Sequence, residues 1–328
     1  MACPNPSRAN GTAIDPNDPH IIEKALERGI LLPQKYFHRQ CVKVSAQDNC
    51  LPTGFVDAAT KGEPYKSLWE IEVMIDSEKA DEADLRLKEV MKNFPNEPRS
   101  YWLASKNIFF RGERMSQQQT EAKGALYEEG MNLMQKCVEL APQEINCLLH
   151  HGTMVGRWST NQGLIKSARN GKTVERSWKS ALETNQHYRF SSGNTSMAAT
   201  HYGMGVFYRL VPDSFLMKLF FGVRGDIEKS IMHIQKAVET NEGQIELRTE
   251  LTAALLCKSR RDDSDIDRIR GAQQADACMG LKPNDTLDRI SQNDCKRLKE
   301  NPDLGCGYSR DKQQETNPDK FKTDGKQS

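Results

Sequence analysis

The chain has 328 residues, and its 46 lysines and arginines nearly balance its 45 aspartates and glutamates, giving a net charge of +1. This length allows a substantial core, either as one elongated domain or as two compact ones. A balanced charge creates no overall field that attracts nucleic acid or an anionic membrane, so no nucleic-acid partner is expected. No apolar run approaches the ~18 residues that a membrane span needs, since even the most apolar stretch, 215–223, contains Lys218.

Residues 1–19 are predicted to be a disordered tether, because residues 4–19 hold four prolines and three asparagines around a single isoleucine. The apolar segment of a signal peptide is missing from residues 1–20. Cys3 directly follows Ala2, as in bacterial lipoproteins after signal removal. We therefore expect a lipid anchor on Cys3, an added Met1, and a location at the periplasmic face of a bacterial membrane. The alternative is that Cys3 is an ordinary residue of a disordered start.

Residues 20–64 are predicted to form an N-terminal helix and a disulfide loop. Apolar residues from Ile21 to Ile30 follow helical spacing, and Pro33 lies shortly after them. The eight residues between Cys41 and Cys50 cannot form a core of their own, so a bridge between these two cysteines is expected to hold the segment together.

Residues 65–290 are predicted to form a domain of helix hairpins similar to tetratricopeptide repeats. Apolar stripes at helical spacing alternate with short polar breaks, and strand-like alternation is nearly absent. The fold class is therefore all-α, with about four hairpins stacked into a solenoid, since a single hairpin cannot bury its own apolar face. Longer connections are expected at 111–120, 159–172 and 210–225. The breaks lie at 94–98, 140–144, 183–187, 239–243 and 281–285.

The remaining cysteines are expected to staple the ends of the solenoid. Cys137 and Cys147 lie five residues on either side of Pro142, in a break between two helices, so antiparallel helices would bring them together. The alternative is that the cysteines are buried apolar residues with free thiols. The last four allow three connectivities, which the sequence leaves open. They are Cys257, Cys278, Cys295 and Cys306. Residues 291–308 are predicted to form a cysteine-containing cap, and 309–328 a disordered tail.

The middle of the chain resembles irregular tetratricopeptide proteins of the regulator-of-microtubule-dynamics type, on the segment MQKCVELAPQEINCLLHHGTMVGRW. The segment 203–241 is similar both to these and to the T-component of tripartite (TRAP) transporters. The resemblance covers about residues 80–285 and implies a helical-repeat fold. Residues of 203–241 that match the family pattern are Gly205, Tyr208, Arg209, Pro212, Gly225, Asp226, Lys229, Lys236 and Ala237.

A ligand or partner groove is expected at the end of the hairpin that carries His150 and His151. Adjacent helix positions point about 100° apart, so the two histidines do not chelate one ion, and no metal site is expected. We expect one of them to pack in the hairpin and His151 to line the groove. Arg157 and Trp158 end the same helix and either face a ligand or pack as a solvated cation and a core residue.

A second set of groove candidates follows in the best-matched segment. Tyr208 and Arg209 would offer a phenol and a guanidinium to an anionic ligand, which suits the carboxylates that TRAP systems handle; alternatively, Arg209 caps the helix end. Phe215, Phe220 and Phe221 belong to an apolar stretch between two helices. This stretch is either a short helix covering the solenoid interior or a hydrophobic lid or partner surface.

No catalytic set emerges, because the chain has no nucleophile elbow, HExxH, Walker loop or CxxC pair. We expect a protein that is not an enzyme and uses no cofactor. The leading hypothesis is a periplasmic or outer-membrane lipoprotein that serves as a scaffold for protein–protein interaction with an envelope partner. The alternative is an accessory protein like the TRAP T-component, which binds an apolar or anionic small molecule in the repeat groove.

Overall fold

A computed structural model describes residues 15, 18, 20–33, 51–241 and 243–309. Cys3, Cys41 and Cys50 lie outside these residues, as does the tail from residue 310. The lipid anchor, the Cys41–Cys50 bridge and both disordered segments therefore stay predictions.

The described part of the chain is helical, and its only β-type pairing is an isolated bridge between Arg189 and Thr195. The all-α prediction is confirmed. The helices are α1 (Ile21–Glu27), α2 (Thr53–Lys61), α3 (Tyr65–Asp76), α4 (Ala80–Asn93), α5 (Pro98–Arg114), α6 (Thr120–Leu140), α7 (Ile145–Asn161), α8 (Leu164–Glu183), α9 (Ser196–Leu210), α10 (Phe215–Phe221), α11 (Ile227–Thr240), α12 (Ile245–Asp262), α13 (Asp265–Met279) and α14 (Thr286–Glu300).

Side-chain caps mark the start of some of the helices that follow the polar breaks. The Glu97 carboxylate accepts the Arg99 N–H at 3.0 Å, with Pro98 in the first turn. Glu144 caps α7 through the Cys147 N–H at 2.6 Å. Each cap satisfies a backbone donor that has no partner inside the helix.

One connection and one helix differ from the sequence prediction. The long link expected at 159–172 is only a two-residue break between α7 and α8, where Gly163 adopts a φ of +100° that favours glycine. The helix α2 was not predicted, because its sequence TGFVDAATK is short and weakly patterned. The apolar stretch after Pro212 does contain a short helix, α10.

Successive helices pack on one another in chain order, except that α10 contacts α8 while α9 packs directly on α11, so the hairpins form a tetratricopeptide-like solenoid. One continuous hydrophobic core extends from α3 to α9, with Trp102 and Met154 almost fully buried in it. A smaller cluster joins α1 and α2 to Trp69, whose indole N–H donates to the Leu31 carbonyl at 2.6 Å. Stacking thus buries the apolar face that each hairpin leaves open.

Three disulfides cross-link the described helices. Cys137–Cys147 joins the end of α6 to the start of α7, with Cα atoms 5.4 Å apart. The last four cysteines form Cys257–Cys306 and Cys278–Cys295. These two bridges tie α12, α13, α14 and the segment after α14 into one C-terminal cap.

Candidate functional site

A cavity of about 360 Å³ runs along the inside of the solenoid, from α5 to the C-terminal cap. We call it the central cavity. Its wall is mainly apolar, with charged groups at separate points. The lining residues include Lys106, Phe109, Phe110 and Glu113 of α5, His150, Thr153, Gly156 and Arg157 of α7, Ala168, Gly171, Val174 and Trp178 of α8, Tyr202, Gly203 and Val206 of α9, and Glu246 and Glu250 of α12.

Small residues shape the wall where three helices meet around Trp178. A Cβ atom at Gly152 would lie 2.7 Å from the Trp178 indole nitrogen, and one at Gly203 would lie 2.9 Å from the indole ring. The indole N–H donates to the Leu149 carbonyl at 3.0 Å. Both glycines are therefore required for α7 and α9 to approach α8 closely enough to seat this indole.

The most unusual polar group on the wall is His150. Its side chain is only 8% exposed, and neither ring nitrogen has a hydrogen-bond partner in the described part of the chain. The ring stacks on Trp102, with centroids 5.8 Å apart and planes 1° apart. A buried polar group without a partner costs free energy, so His150 is the strongest indication of a ligand contact on this wall.

Burial lowers the pKa of His150 to about 3, and the nearby Lys106 ammonium acts in the same direction. The ring is therefore neutral at pH 7, with one N–H donor and one acceptor. Lys106 is itself nearly buried and pairs with Asp76 at 2.8 Å. This end of the cavity thus combines a neutral imidazole with a neutralised ammonium group.

A second charged group lies further along α5 and α7. Arg157 Nη2 contacts Glu113 Oε2 at 2.9 Å, while the Tyr127 hydroxyl donates to the other Glu113 oxygen at 3.0 Å. The guanidinium also lies over the Phe109 ring, 5.3 Å from its centroid. Arg157 thus lines the cavity while holding a buried carboxylate in place.

Of the two adjacent histidines, it is His150 that lines the central cavity. The predicted groove residue His151 instead shares a hydrogen bond of 2.7 Å with Ser177 on α8. The register of α7 explains this difference. His150, Thr153 and Arg157 lie on one face at helical spacing, whereas His151 points toward the neighbouring helix. Trp158 packs beneath Lys166, whose ammonium lies 4.9 Å from the ring centroid.

Tyr208 and Arg209 do not offer free polar groups to a ligand. The Tyr208 hydroxyl donates to Glu175 at 2.7 Å, and its pKa is raised by burial and by that carboxylate. Arg209 is fully buried and binds Glu250 together with carbonyl groups of the C-terminal cap. These partners belong to the cap, so the observed contacts of Arg209 are neither with a ligand nor with the carbonyl groups at the end of its own helix.

The three phenylalanines of α10 divide into two environments. Phe221 packs with Ala168, Met217 and Val223 against α8. Phe215 and Phe220 are 67% and 71% exposed, so one face of α10 covers the cavity through Met217 while the other faces solvent.

Among the described residues, no helix is both long and apolar enough to cross a bilayer. No cluster of three or more histidine, cysteine, aspartate or glutamate side chains in that part of the chain has the arrangement of a metal site.

No protein-family model and no curated protein sequence matches this chain. Several solved structures are similar to it. A thermophilic TPR protein of Thermus thermophilus, TTC0263, aligns at 13% identity over 61% of this chain and 86% of its own, with a TM-score of 0.42. MamA from Desulfovibrio magneticus RS-1 aligns at 17% identity over 67% and 96%, with a TM-score of 0.38. YrrB, described as a TPR protein with an unusual peptide-binding site, aligns at 14% identity over 74% and 98%, with a TM-score of 0.35.

Proposed function

We propose that the protein is a non-enzymatic helical-repeat scaffold that binds an extended segment of a partner protein along the central cavity. The observation that carries this proposal is the continuity of the cavity across the repeats, from Lys106 on α5 to Glu250 on α12. Apolar stretches alternate there with fixed charges, and a bound segment could bury apolar side chains while its polar groups meet the charged ones.

The proposed setting is the periplasmic face of a bacterial membrane, with the chain held by a lipid on Cys3. Three disulfides support an oxidising compartment, because such bonds form and persist outside the reducing cytosol. Mass spectrometry of the natively expressed protein tests the anchor. An unprocessed N-terminus without acylation would rule it out.

Filling the cavity tests the binding proposal. A Cβ atom at Gly156 would lie 3.8 Å from Val174, an ordinary contact, so Gly156→Ala leaves the space open and serves as the control. Gly156→Phe places a ring in the cavity. Peptides selected from a display library on the wild-type protein should bind Gly156→Ala equally well and lose roughly tenfold or more in affinity for Gly156→Phe. Equal binding to both variants would place the peptide site elsewhere.

A second candidate function is an accessory protein of the TRAP T-component type, with an apolar or anionic small molecule in the same cavity. His150 favours this candidate, because a compact ligand with one hydrogen-bonding group would satisfy a ring nitrogen that has no partner among the residues that the structure describes. The cavity volume lies near the lower end of small-molecule pockets, which span roughly 300–1,000 Å³.

Native mass spectrometry distinguishes the two candidates. A small molecule that copurifies with the wild-type protein and is absent from Gly156→Phe would favour the accessory role. An empty cavity, together with peptides that compete for it, would favour the scaffold.

A further inference from the structure

The surface of α10 is strongly apolar. Four large side chains on this seven-residue helix are each at least 60% exposed: Phe215, Leu216, Leu219 and Phe220. They are not misplaced core residues, because the opposite face of α10 is already seated on α8 through Met217 and Phe221. Exposed apolar side chains concentrated in this way indicate an interaction surface.

Basic residues surround this apolar surface. Arg169 and Lys172 follow Ile165 at helical spacing on α8, and Ile165 is itself 67% exposed. The Lys172 side chain lies beside Gly222, at the end of α10, where an added Cβ would lie 3.2 Å from it. Lys218 lies within α10 and is exposed. Among the described residues, no carboxylate forms an ion pair with Arg169, Lys172 or Lys218.

We propose that α10 and the adjoining part of α8 form a docking surface for an anionic lipid bilayer. Phenylalanine and leucine side chains would enter the boundary between headgroups and acyl chains, as in other interfacial helices. The neighbouring lysines and arginine would meet the negatively charged headgroups. The combination of exposed aromatic residues with unpaired cations favours this occupant over an acidic protein, which would need few apolar contacts.

Vesicle co-sedimentation tests the proposal on the full-length chain. Cys3→Ser is included in every variant, so that acylation cannot contribute. The probes are vesicles of phosphatidylcholine alone and vesicles with an equal share of phosphatidylglycerol. We expect binding to the anionic vesicles only, weakened when salt rises from about 0.1 to 1 M and the Debye length shrinks from ~10 to ~3 Å.

Two variants separate the contribution of the apolar side chains to vesicle binding from that of the basic side chains. A third variant is a matched control. Phe215→Ser/Phe220→Ser and Arg169→Glu/Lys172→Glu should each weaken vesicle binding roughly tenfold or more. Their melting temperatures should not change, because these side chains are exposed. Ile266→Ser removes an equally exposed apolar side chain, 73% exposed, from α13 and should bind as the wild type does.

The proposal would be overturned if the protein did not bind anionic vesicles, or if both double-substitution variants still bound them as the wild type does. It would also be overturned if no variant bound vesicles and the phenylalanine variant instead lost binding to a protein partner. Peptide binding in the central cavity is measured separately, so failure here leaves the proposed scaffold function intact.

Discussion

Arg209 on α9 and Glu250 on α12 form an ion pair that is almost completely shielded from solvent, with Nη2 and Oε2 2.6 Å apart. The other guanidinium nitrogen, Nη1, donates to the carbonyls of Gly305 at 3.1 Å and Tyr308 at 2.9 Å. One arginine therefore binds both a helix of the cap and the segment that follows α14. The end of the solenoid is fixed by this single side chain as well as by its disulfides.

Arg209→Met should be strongly destabilising, because it leaves the Glu250 carboxylate buried without its cation. We expect a loss of about 3–5 kcal/mol in the free energy of unfolding, measured by urea denaturation. Arg224→Ala breaks an exposed pair with Asp213 and should cost at most about 1 kcal/mol. Similar costs for the two variants would contradict the buried role of Arg209.

Acid should destabilise the protein through His201 and His233, whose Nδ1 atoms are 2.8 Å apart. Burial lowers the pKa of each to about 4, and Lys236 acts in the same direction. The unfolded chain, with histidine pKa values of about 6.5, then binds protons more readily than the folded protein. The free energy of unfolding should therefore fall as the pH is lowered from about 6.5 to about 4.

Urea midpoints measured across this pH range test the histidine prediction. His201→Gln should make the acid side of the profile less steep, with the rest of the slope coming from other buried histidines such as His150, whereas a substitution of the exposed His187 should leave the profile unchanged. A wild-type profile that is flat between these pH values would show that the pair does not control acid stability.

The disulfides should contribute differently to the free energy of unfolding, according to the length of the loop that each one closes. Cys137–Cys147 spans 10 residues and Cys257–Cys306 spans 49. On the chain-entropy account, replacing both cysteines by alanine should cost about 3 kcal/mol for the first bridge and about 4 kcal/mol for the second. Urea denaturation without reductant measures both losses of stability. A larger loss for the Cys137–Cys147 bridge would show that effects in the folded state dominate.

Gly225 should not tolerate a side chain. An added Cβ atom would lie 1.9 Å from the Val211 carbonyl oxygen, and the Gly225 N–H donates to the Pro212 carbonyl at 3.1 Å. We expect Gly225→Ala to cost about 1–3 kcal/mol, because backbone must move to make room. Gly243→Ala, where nothing lies within 4 Å, is the control. Equal melting temperatures for the two variants would contradict this close approach.

Local patterns were enough to predict several of the breaks between helices and one of the disulfides. The breaks at 94–98 and 140–144 carry their own caps, Glu97 and Glu144, so the information lies within a few residues. Cys137 and Cys147 flank one such break, and their pairing follows from the hairpin. The last four cysteines could not be paired in the same way. Cys306 reaches Cys257 only because the segment after α14 folds back onto α12.

The polar groups of the cavity were harder to predict, because their partners are distant in sequence. Arg157 and Glu113 both line the cavity, and they form an ion pair at 2.9 Å although they are 44 residues apart in sequence. The choice between His150 and His151 depended on the rotation of α7 within the stack, which no residue of that helix determines alone. The spacing of His150 with Thr153 and Arg157 was a usable signal, since all three share one helical face.

Two disulfides cross the connection between α13 and α14, residues 280–285: Cys257–Cys306 spans it from outside, and Cys278–Cys295 spans it more closely. A protease that cuts this connection would produce two polypeptides that remain one covalent particle. On a gel the nick would be invisible until a reductant is added. In an oxidising environment, a cleaved molecule would therefore keep its cap and stay folded. It would then compete with the intact protein for binding.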